Sequence, residues 1–324
     1  PDHLNADSLA LLRERQVLVP AHVGGRIRAD LEGQGFRVRE LPVAEWVELS
    51  PRVRVMCLPD YNQDAVLLVR IGDALLVNAN DSEGPGWRQL IARAIRQHKR
   101  SFLLRLTGYG DADMINFFDE QGNRLPSSAL QRKRAGAQVG PAVARLAESF
   151  GVNYFVPFSS MHRYQREDSA WANECATSVD DHAKGFESKR CRILPAFIRY
   201  DVLADRAEPI RPKALPAQSL AVKEFGDDWS EPLERADLDL AGRYFRSIEH
   251  LAGFLDYVNL RVGGRDHAIP IAARKFGRGV TFEAPRGSLV TALRYEIFDD
   301  LLIGNFMKTT LHGRWPQSRL YPDF

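Results

Sequence analysis

Three aspartates carry the first chemical signal in this sequence. Residues 52–82 (RVRVMCLPDYNQDAVLLVRIGDALLVNANDS) hold Asp60, Asp64 and Asp81, all outside the apolar runs of the stretch, where strands end and loops begin. Carboxylates at the rim of one sheet either face solvent or hold something positive. Solvent is the plainer reading of the stretch by itself; the opening Pro1-Asp2-His3 shifts the balance toward a bound cation. A further histidine, His162, is followed closely by Arg163, Tyr164, Arg166, Asp168 and Trp171. Without its surroundings His162 reads as a hydrogen-bonded loop residue before it reads as a ligand. The arginines would suit an anionic group on a substrate, through bidentate pairing with carboxylate or phosphate; an Arg–Asp surface pair is the equal alternative. The other histidines, His22 among them, lack comparable context and read as ordinary surface or core residues.

Those groups need a sheet to hold them. Val53, Val55 and Cys57 alternate with Arg52, Arg54 and Met56, the period of a strand with one buried face. Residues 65–71 and 74–77 are two further strands, joined by a tight turn at Gly72-Asp73. Upstream, Asp7 and Ser8 offer an N-cap for a helix over 9–15, followed by a strand at 16–20, a helix over 25–34 and strands at 36–41 and 45–49. Downstream come a helix over 86–99, a strand at 102–106 and the loop Thr107-Gly-Tyr-Gly-Asp111, which lacks the lysine and spacing of a phosphate-binding loop. A long helix over 128–150, kinked or divided at Gly140-Pro141, precedes a strand at 154–158. Strands and helices alternating on short links predict layered sheets covered by helices. From about Pro195 the character changes. Prolines 209, 212 and 216 punctuate a linker-like stretch, followed by amphipathic segments over 240–257, strands at 266–272 and 279–282, and a helix over 288–298. The expected division is therefore a first domain over 1–194 and a C-terminal α+β extension over 195–324 packed on it.

Composition narrows the classes. The 324 residues carry 44 Lys+Arg against 42 Asp+Glu, a net charge of +2 that calls for no acidic polymer as partner. The one compact basic run, Arg132-Lys133-Arg134, reads as the solvated side of a helix, and no interleaving of aromatic and basic residues points to nucleic acid. Apolar runs are too short to cross a bilayer and the opening is no signal peptide. Cys57, Cys175 and Cys191 are odd in number and lack CxxC spacing, which argues for reduced thiols in a cytoplasm, without disulfides or a cysteine-held zinc.

The opening Pro1-Asp2-His3-Leu4-Asn5-Ala6-Asp7-Ser8 resembles the right-hand half of the HxHxDH signature of the metallo-β-lactamase superfamily. On that comparison the two leading histidines lie before Pro1, and the chain is taken as an N-terminally truncated fragment. The later order matches as well. In the family a third ligand precedes a strand, an aspartate ends the next strand and bridges two metals, and a last histidine follows a later strand. Here Asp60 precedes the strand 65–71, Asp81 follows 74–77, and His162 follows 154–158. The resemblance covers about residues 1–175 and implies a layered α/β fold, an αββα sandwich incomplete at its N-terminus. It also implies two divalent ions, zinc or iron. Asp2 and His3 would serve the second metal, Asp81 would bridge the pair, and His162 would close the second shell, leaving an open position for water.

One departure from the family matters. A histidine is usual where this chain has Asp60, within PDYNQD, and Asp64 is a credible substitute ligand. Carboxylate in place of imidazole hardens the site and shifts preference from zinc toward iron or manganese. A diiron oxygenase of the superfamily carries a carboxylate at this place too. If the site has degenerated, Asp60 is only a turn residue after Pro59. Segments 156–173 and 304–313 are similar to the branch that contains the metallo-domain of CMP-N-acetylneuraminate hydroxylase and its bacterial relatives. Such domains can accompany a Rieske iron–sulfur domain, whose CxH…CxxH pattern this chain does not contain.

Three functions follow from the resemblance. The first is a hydrolase in which a dinuclear-metal-activated water attacks an ester, amide or phosphodiester, with Asp81 bridging and Asp2 orienting the water. The second is a diiron, O2-dependent hydroxylase. The third is a non-catalytic metallo-domain partnering an oxygenase. All three expect a cytoplasmic chain that acts on, or binds, a small molecule with an anionic group drawn to Arg163, Tyr164 and Arg166, as a homo-oligomer or beside an oxygenase.

Overall fold

The computed structural model describes residues 6–60, 64–82, 86–109, 114–158, 163–213, 218–225, 227–273, 275–304 and 307–320. These residues form two compact units that interleave along the chain. The first draws on Pro1–Gly108, Gln138–Met161 and Thr177–Ala214; the second draws on Tyr109–Ala137, His162–Ala176 and Leu215–Phe324. Together they make a mixed α/β protein with several sheets.

In chain order the strands of the first unit are β1 (Gln16–Pro20), β2 (Arg37–Leu41), β3 (Val47–Ser50), β4 (Val53–Pro59), β5 (Ala65–Ile71), β6 (Ala74–Asn80) and β7 (Arg100–Leu106). After β8 (Phe117–Phe118), which belongs to the second unit, come β9 (Tyr154–Phe158), β10 (Arg192–Ile193), β11 (Ile198–Asp201) and β12 (Arg206–Pro209). Seven of them form one sheet in the order β10-β9-β7-β6-β5-β4-β3. From β3 to β6 it is an antiparallel meander, because short turns such as Gly72-Asp73, with Gly72 at φ 60°, return the chain at once. From β6 through β7 and β9 to β10 it is parallel, since helices Arg88–Arg96 and Val139–Phe150 carry the chain back between strands.

The strand β4 is buried on both faces, where its alternation with arginines predicts one. Met56 and Leu58 join Leu68, Leu75, Val77 and Leu103 beneath Ile91, Ile95, Val143 and Phe150 of those two helices. Val55 and Cys57 point the other way, against Leu41 and Leu18 of a small parallel sheet made by β1 and β2. That small sheet is capped in turn by helix Arg26–Gly33, through Leu31 and Ile27 on Val19, Val17 and Val38. The layers therefore run helix, sheet, sheet, helix. Over β7 and β9 the hairpin β11–β12 supplies the cover: Tyr200 meets Phe102 edge-on at 4.7 Å, and Phe102 stacks on Tyr154 at 4.9 Å.

In the second unit β13 (Tyr257–Val262), β14 (Arg265–Pro270), β15 (Gly279–Glu283) and β16 (Lys308–His312) join β8 in the order β14-β13-β15-β16-β8. Helices Arg235–Ser247, Arg286–Tyr295 and Phe298–Ile303 cover one face. Phe245, Phe282 and Phe298 form the centre of that core, with ring centroids 4.9–6.0 Å apart. At its margin Arg286 draws together the carboxylates of Glu231, Glu234 and Asp237. Asp237 also accepts the backbone N–H of Glu234, so one buried carboxylate both caps a helix and pairs with the start of another.

Several sequence expectations shift in detail. The first helix is Ala6–Ala10, with turns over 11–15 where a helix to 15 is predicted. The 128–150 segment is two helices, Ser128–Arg134 and Val139–Phe150. The break falls at Gly136, whose φ is 74°, and Gly140-Pro141 sits harmlessly in the first turn of the second helix. The amphipathic segment 240–257 ends in a strand, β13, and β16 is a strand with no counterpart in the sequence reading. Among the described residues no helix is long and apolar enough to cross a membrane. All three cysteines are free and buried, and burial pushes the Cys57 and Cys191 thiols up to about 11.

Two outcomes are expected. The native protein should be inert to a thiol-specific disulfide reagent at pH 8 and should release three equivalents after denaturation; fast native labelling would contradict the burial. Burial alone would push the Asp237 carboxyl up, but Arg286 and the Glu234 amide more than offset this and hold it below its ordinary value. Its contribution is thus present above that ordinary value and lost as pH falls through the depressed one, so urea midpoints should drop below about pH 4. Asp237→Ala should cost roughly 2–4 kcal/mol at neutral pH, and Asp237→Asn should flatten the acid limb.

Candidate functional site

Register decides where the carboxylates go. Pro59 pairs with Ala65, Leu67 with Asn78, Asn80 with Arg105, and Leu106 with Phe158. The ends of β4, β6, β7 and β9 and the start of β5 therefore share one edge of the seven-stranded sheet. Asp60, Asp64 and Asp81 leave the sheet there, and each is half-buried.

Asp60 and Asp64 close the β4–β5 connection on themselves. The Asp60 N–H donates to the Asp64 carbonyl at 2.9 Å, and the Asp64 N–H donates back to Asp60 Oδ1 at 3.1 Å. The second oxygen of Asp60 reaches across β5 to the end of β6, where Ser82 Oγ donates to it at 2.6 Å. Ser82 is buried, and its position follows from local backbone geometry. The β6–β7 register slips between Asn78 and Asn80, Asn80 turns into the left-handed region at φ 41°, and the Ser82 N–H then donates to the Ala79 carbonyl at 2.8 Å. Asparagine tolerates that conformation, and a bulge re-aims the side chains that follow it. Trp87 Nε1 donates to the Pro59 carbonyl at 2.8 Å, fixing the next loop over the end of β4.

His22, just beyond β1, belongs to this cluster. Burial pushes its imidazole below the ordinary histidine value, and the nearby Asp60 charge works against that shift. Asn78 Oδ1 is buried with no hydrogen-bond partner among the described residues. At the end of β7, fully buried His182 sets Nδ1 2.9 Å from the Ser178 carbonyl and Nε2 3.2 Å from the Thr107 carbonyl. Gly108 follows at φ 98°, and a Cβ there would meet Thr177 Oγ1 at 2.3 Å, so only glycine lets the two segments close.

The remaining sequence-derived candidates fall elsewhere. Asp2, His3 and His162 lie outside the described residues. Arg163, Tyr164 and Arg166 belong to the second unit. Arg163 is exposed, and Tyr164 exchanges backbone hydrogen bonds of 2.9 and 2.8 Å with the Asn173 side chain. Arg166 is buried and grips Asp168 with two bonds, Nε to Oδ1 at 2.6 Å and Nη2 to Oδ2 at 3.1 Å. Its fork is thus occupied by an internal carboxylate, the structural alternative to a substrate contact.

As a metal site the described donors are incomplete. Asp60, Asp64 and Asp81 offer only oxygen, and Asp60 already accepts bonds on both oxygens. Among the described residues no three His, Cys, Asp or Glu side chains are grouped so as to hold an ion. What this edge can do unaided is orient a polar or cationic group against a fixed Asp60–Ser82 pair. Of its members, His22, Asn80, Ser82 and His182 escape the sequence reading. His22 closely follows an apolar strand and Ser82 follows Asn-Asp at the end of another, but neither position reports its meeting with Asp60.

Neither family models nor curated proteins yield a match. Among solved structures the chain is similar to a mutant of CmlA beta-hydroxylase, at 18% identity and a TM-score of 0.30, covering 48% of this chain. The match spans 34% of that chain's length and is too slight to carry a function across.

Titration of His22 by NMR should give a midpoint below the ordinary 6.5, and Asp60→Asn should lower it further, because it removes the charge that favours imidazolium. A midpoint that rises in Asp60→Asn would break the proximity. Ser82→Ala should lower the urea midpoint by the equivalent of about 1–2 kcal/mol without changing the denaturant slope.

Proposed function

We propose that this chain is a metal-dependent enzyme, with its centre at the carboxylate edge of the seven-stranded sheet. What supports the reading is one observation: the termini bearing Asp60, Asp64 and Asp81 emerge side by side, tied by the 2.6 Å bond from Ser82 to Asp60. The helix–sheet–sheet–helix layering of the first unit is compatible with a metallo-β-lactamase-like αββα sandwich over 1–194, with 195–324 as its extension. On this reading Asp2, His3 and His162 complete the set, with Asp81 bridging and Asp60 or Asp64 in place of a histidine. Two divalent ions would there supply Lewis acidity and a water acidified toward neutral pH. Hydrolysis of an ester, amide or phosphodiester is the first activity proposed.

The chain's own residues have definable tasks in this scheme. The Ser82 hydroxyl and the Asp64 amide hold Asp60 in one orientation, and His22 screens it from bulk water. Asp2 orients the attacking group. A small substrate with an anionic group remains the proposed ligand; of the three residues named for it, Arg163 is the exposed cation.

A second reading, O2-dependent hydroxylation at two irons, is favoured by a carboxylate, Asp60 or Asp64, where a histidine is usual, which suits iron better than zinc. Metal analysis of the full-length purified protein separates the two. Zinc supports the hydrolase, about two irons per chain support the hydroxylase, and no metal after growth with both supplied would overturn both and leave a non-catalytic scaffold. Asp81→Ala and His162→Ala should each lose at least half of the bound metal. Wild-type metal content in both variants would sink the assignment.

A further inference from the structure

The second compact unit carries a groove of about 450 Å³ between helix Arg235–Ser247 and β14, and the proposed function makes no use of it. Its floor is a free sheet edge. β14 ends the five-stranded order and, among the described residues, pairs only with β13. The Ile271 N–H donates to the Asp256 carbonyl at 2.9 Å, which sets the phase of the antiparallel ladder. Residues 265, 267 and 269 therefore turn their backbone groups toward β13, and residues 266, 268 and 270 turn theirs outward. The Pro270 carbonyl is met from the helix side, by Arg246 Nε at 3.4 Å. Ala268, which lines the groove, points its amide N–H out of the sheet on that side.

The wall supplies positive charge. Arg243 and Arg246 stand one turn apart on the helix, both exposed, and among the described residues neither pairs with a carboxylate. Asp239 is the one acid lining the groove, and it lies 3.5 Å from Arg235. His267 also lines it, with Nε2 buried and without a hydrogen-bond partner among the described residues. Gly242 explains how Arg246 reaches its place. A Cβ at Gly242 would lie 3.1 Å from Arg246 Nη1, so the guanidinium lies across the bare backbone. Glycine is a poor choice in the middle of a helix, and here it makes room for a cation. Leu238 and Ile269 leave an apolar strip for the rest of a ligand.

We propose that this groove binds a small anionic molecule, whose phosphoryl or carboxylate group is held by Arg243, Arg246, His267 and the Ala268 amide. Guanidinium forks and a main-chain N–H are the donors such oxygens take most readily, and the volume exceeds what a bare phosphate needs. The groove shares no residue with the proposed metal centre.

Calorimetric titration of the full chain at low ionic strength, with pyrophosphate and separately with citrate, tests it. Saturable binding of either probe is expected, and the probe that binds shows which acid group the groove takes. Arg243→Gln/Arg246→Gln should weaken that binding by about tenfold or more, and Gly242→Ala by about threefold as it displaces Arg246. Both arginines are exposed, so an unchanged melting temperature confirms that the double variant folds. Parallel titration of Asp81→Ala keeps the metal centre out of the result: binding that survives there and is lost in the double variant belongs to the groove. No binding of either probe, or equal binding by wild type and double variant, overturns the proposal.

Discussion

Burial on both faces of the central sheet is the constraint from which the rest of the first unit follows. Met56 and Leu58 need the two helices on one side, and Val55 and Cys57 need the β1–β2 layer on the other. A sheet enclosed this way has no free face for chemistry. Only its ends remain: Asp73 pairs with Lys99 and Arg100 at one, and Asp60, Asp64 and Asp81 leave the sheet at the other, where β4, β6, β7 and β9 terminate. Hydrophobic burial at about 25 cal/mol per Å² is what makes the enclosure stable, and it keeps the carboxylates to the ends of the strands.

Placement at an edge is not yet a site, because strand ends fray and side chains there sample many rotamers. Asn80 and the register slip beside it convert the edge into something fixed. Turning the chain through a left-handed residue costs backbone energy, and the Ser82–Asp60 bond together with the Trp87–Pro59 bond offsets it. Irregular backbone next to converging carboxylates is economical only if their orientation matters. A regular strand end leading into the crossover helix would otherwise have served.

The alternation of apolar residues made most of the first unit legible. β1, β5 and β9 fall at the residues that the pattern picks out, and helix Arg26–Gly33 lies within one residue of its expected ends. Burial on the second face of β4 was illegible because Arg52 and Arg54 break the apolar run at its start, where the strand is still exposed. β13 was hidden for a different reason. It follows within a few residues of an amphipathic helix, and its alternation of Val258, Leu260 and Val262 with Tyr257, Asn259 and Arg261 is only six residues long, so it merges with the apolar residues before it. At the site, Asp60, Asp64 and Asp81 could be read from their position after apolar runs. His22 and Ser82 could not, because what joins them to Asp60 is contact between β1, β4 and the end of β6, and no local pattern reports a long-range contact.

The path of the chain sets the bounds of the two units. Six segments alternate between the units, so the chain passes from one to the other five times. Two of those passages, after Gly108 and after Met161, follow directly on β7 and β9, which end at the carboxylate edge. Parallel strands must hand the chain back to their starting side through long connections, and their C-terminal ends are where such excursions begin. An excursion of about thirty residues between β7 and helix Val139–Phe150 is long for a simple return, and here it contributes β8 and helix Ser128–Arg134 to the other unit. A substitution in 109–137 or 162–176 therefore acts on the packing of the second unit, although the chain enters both segments from strands of the first.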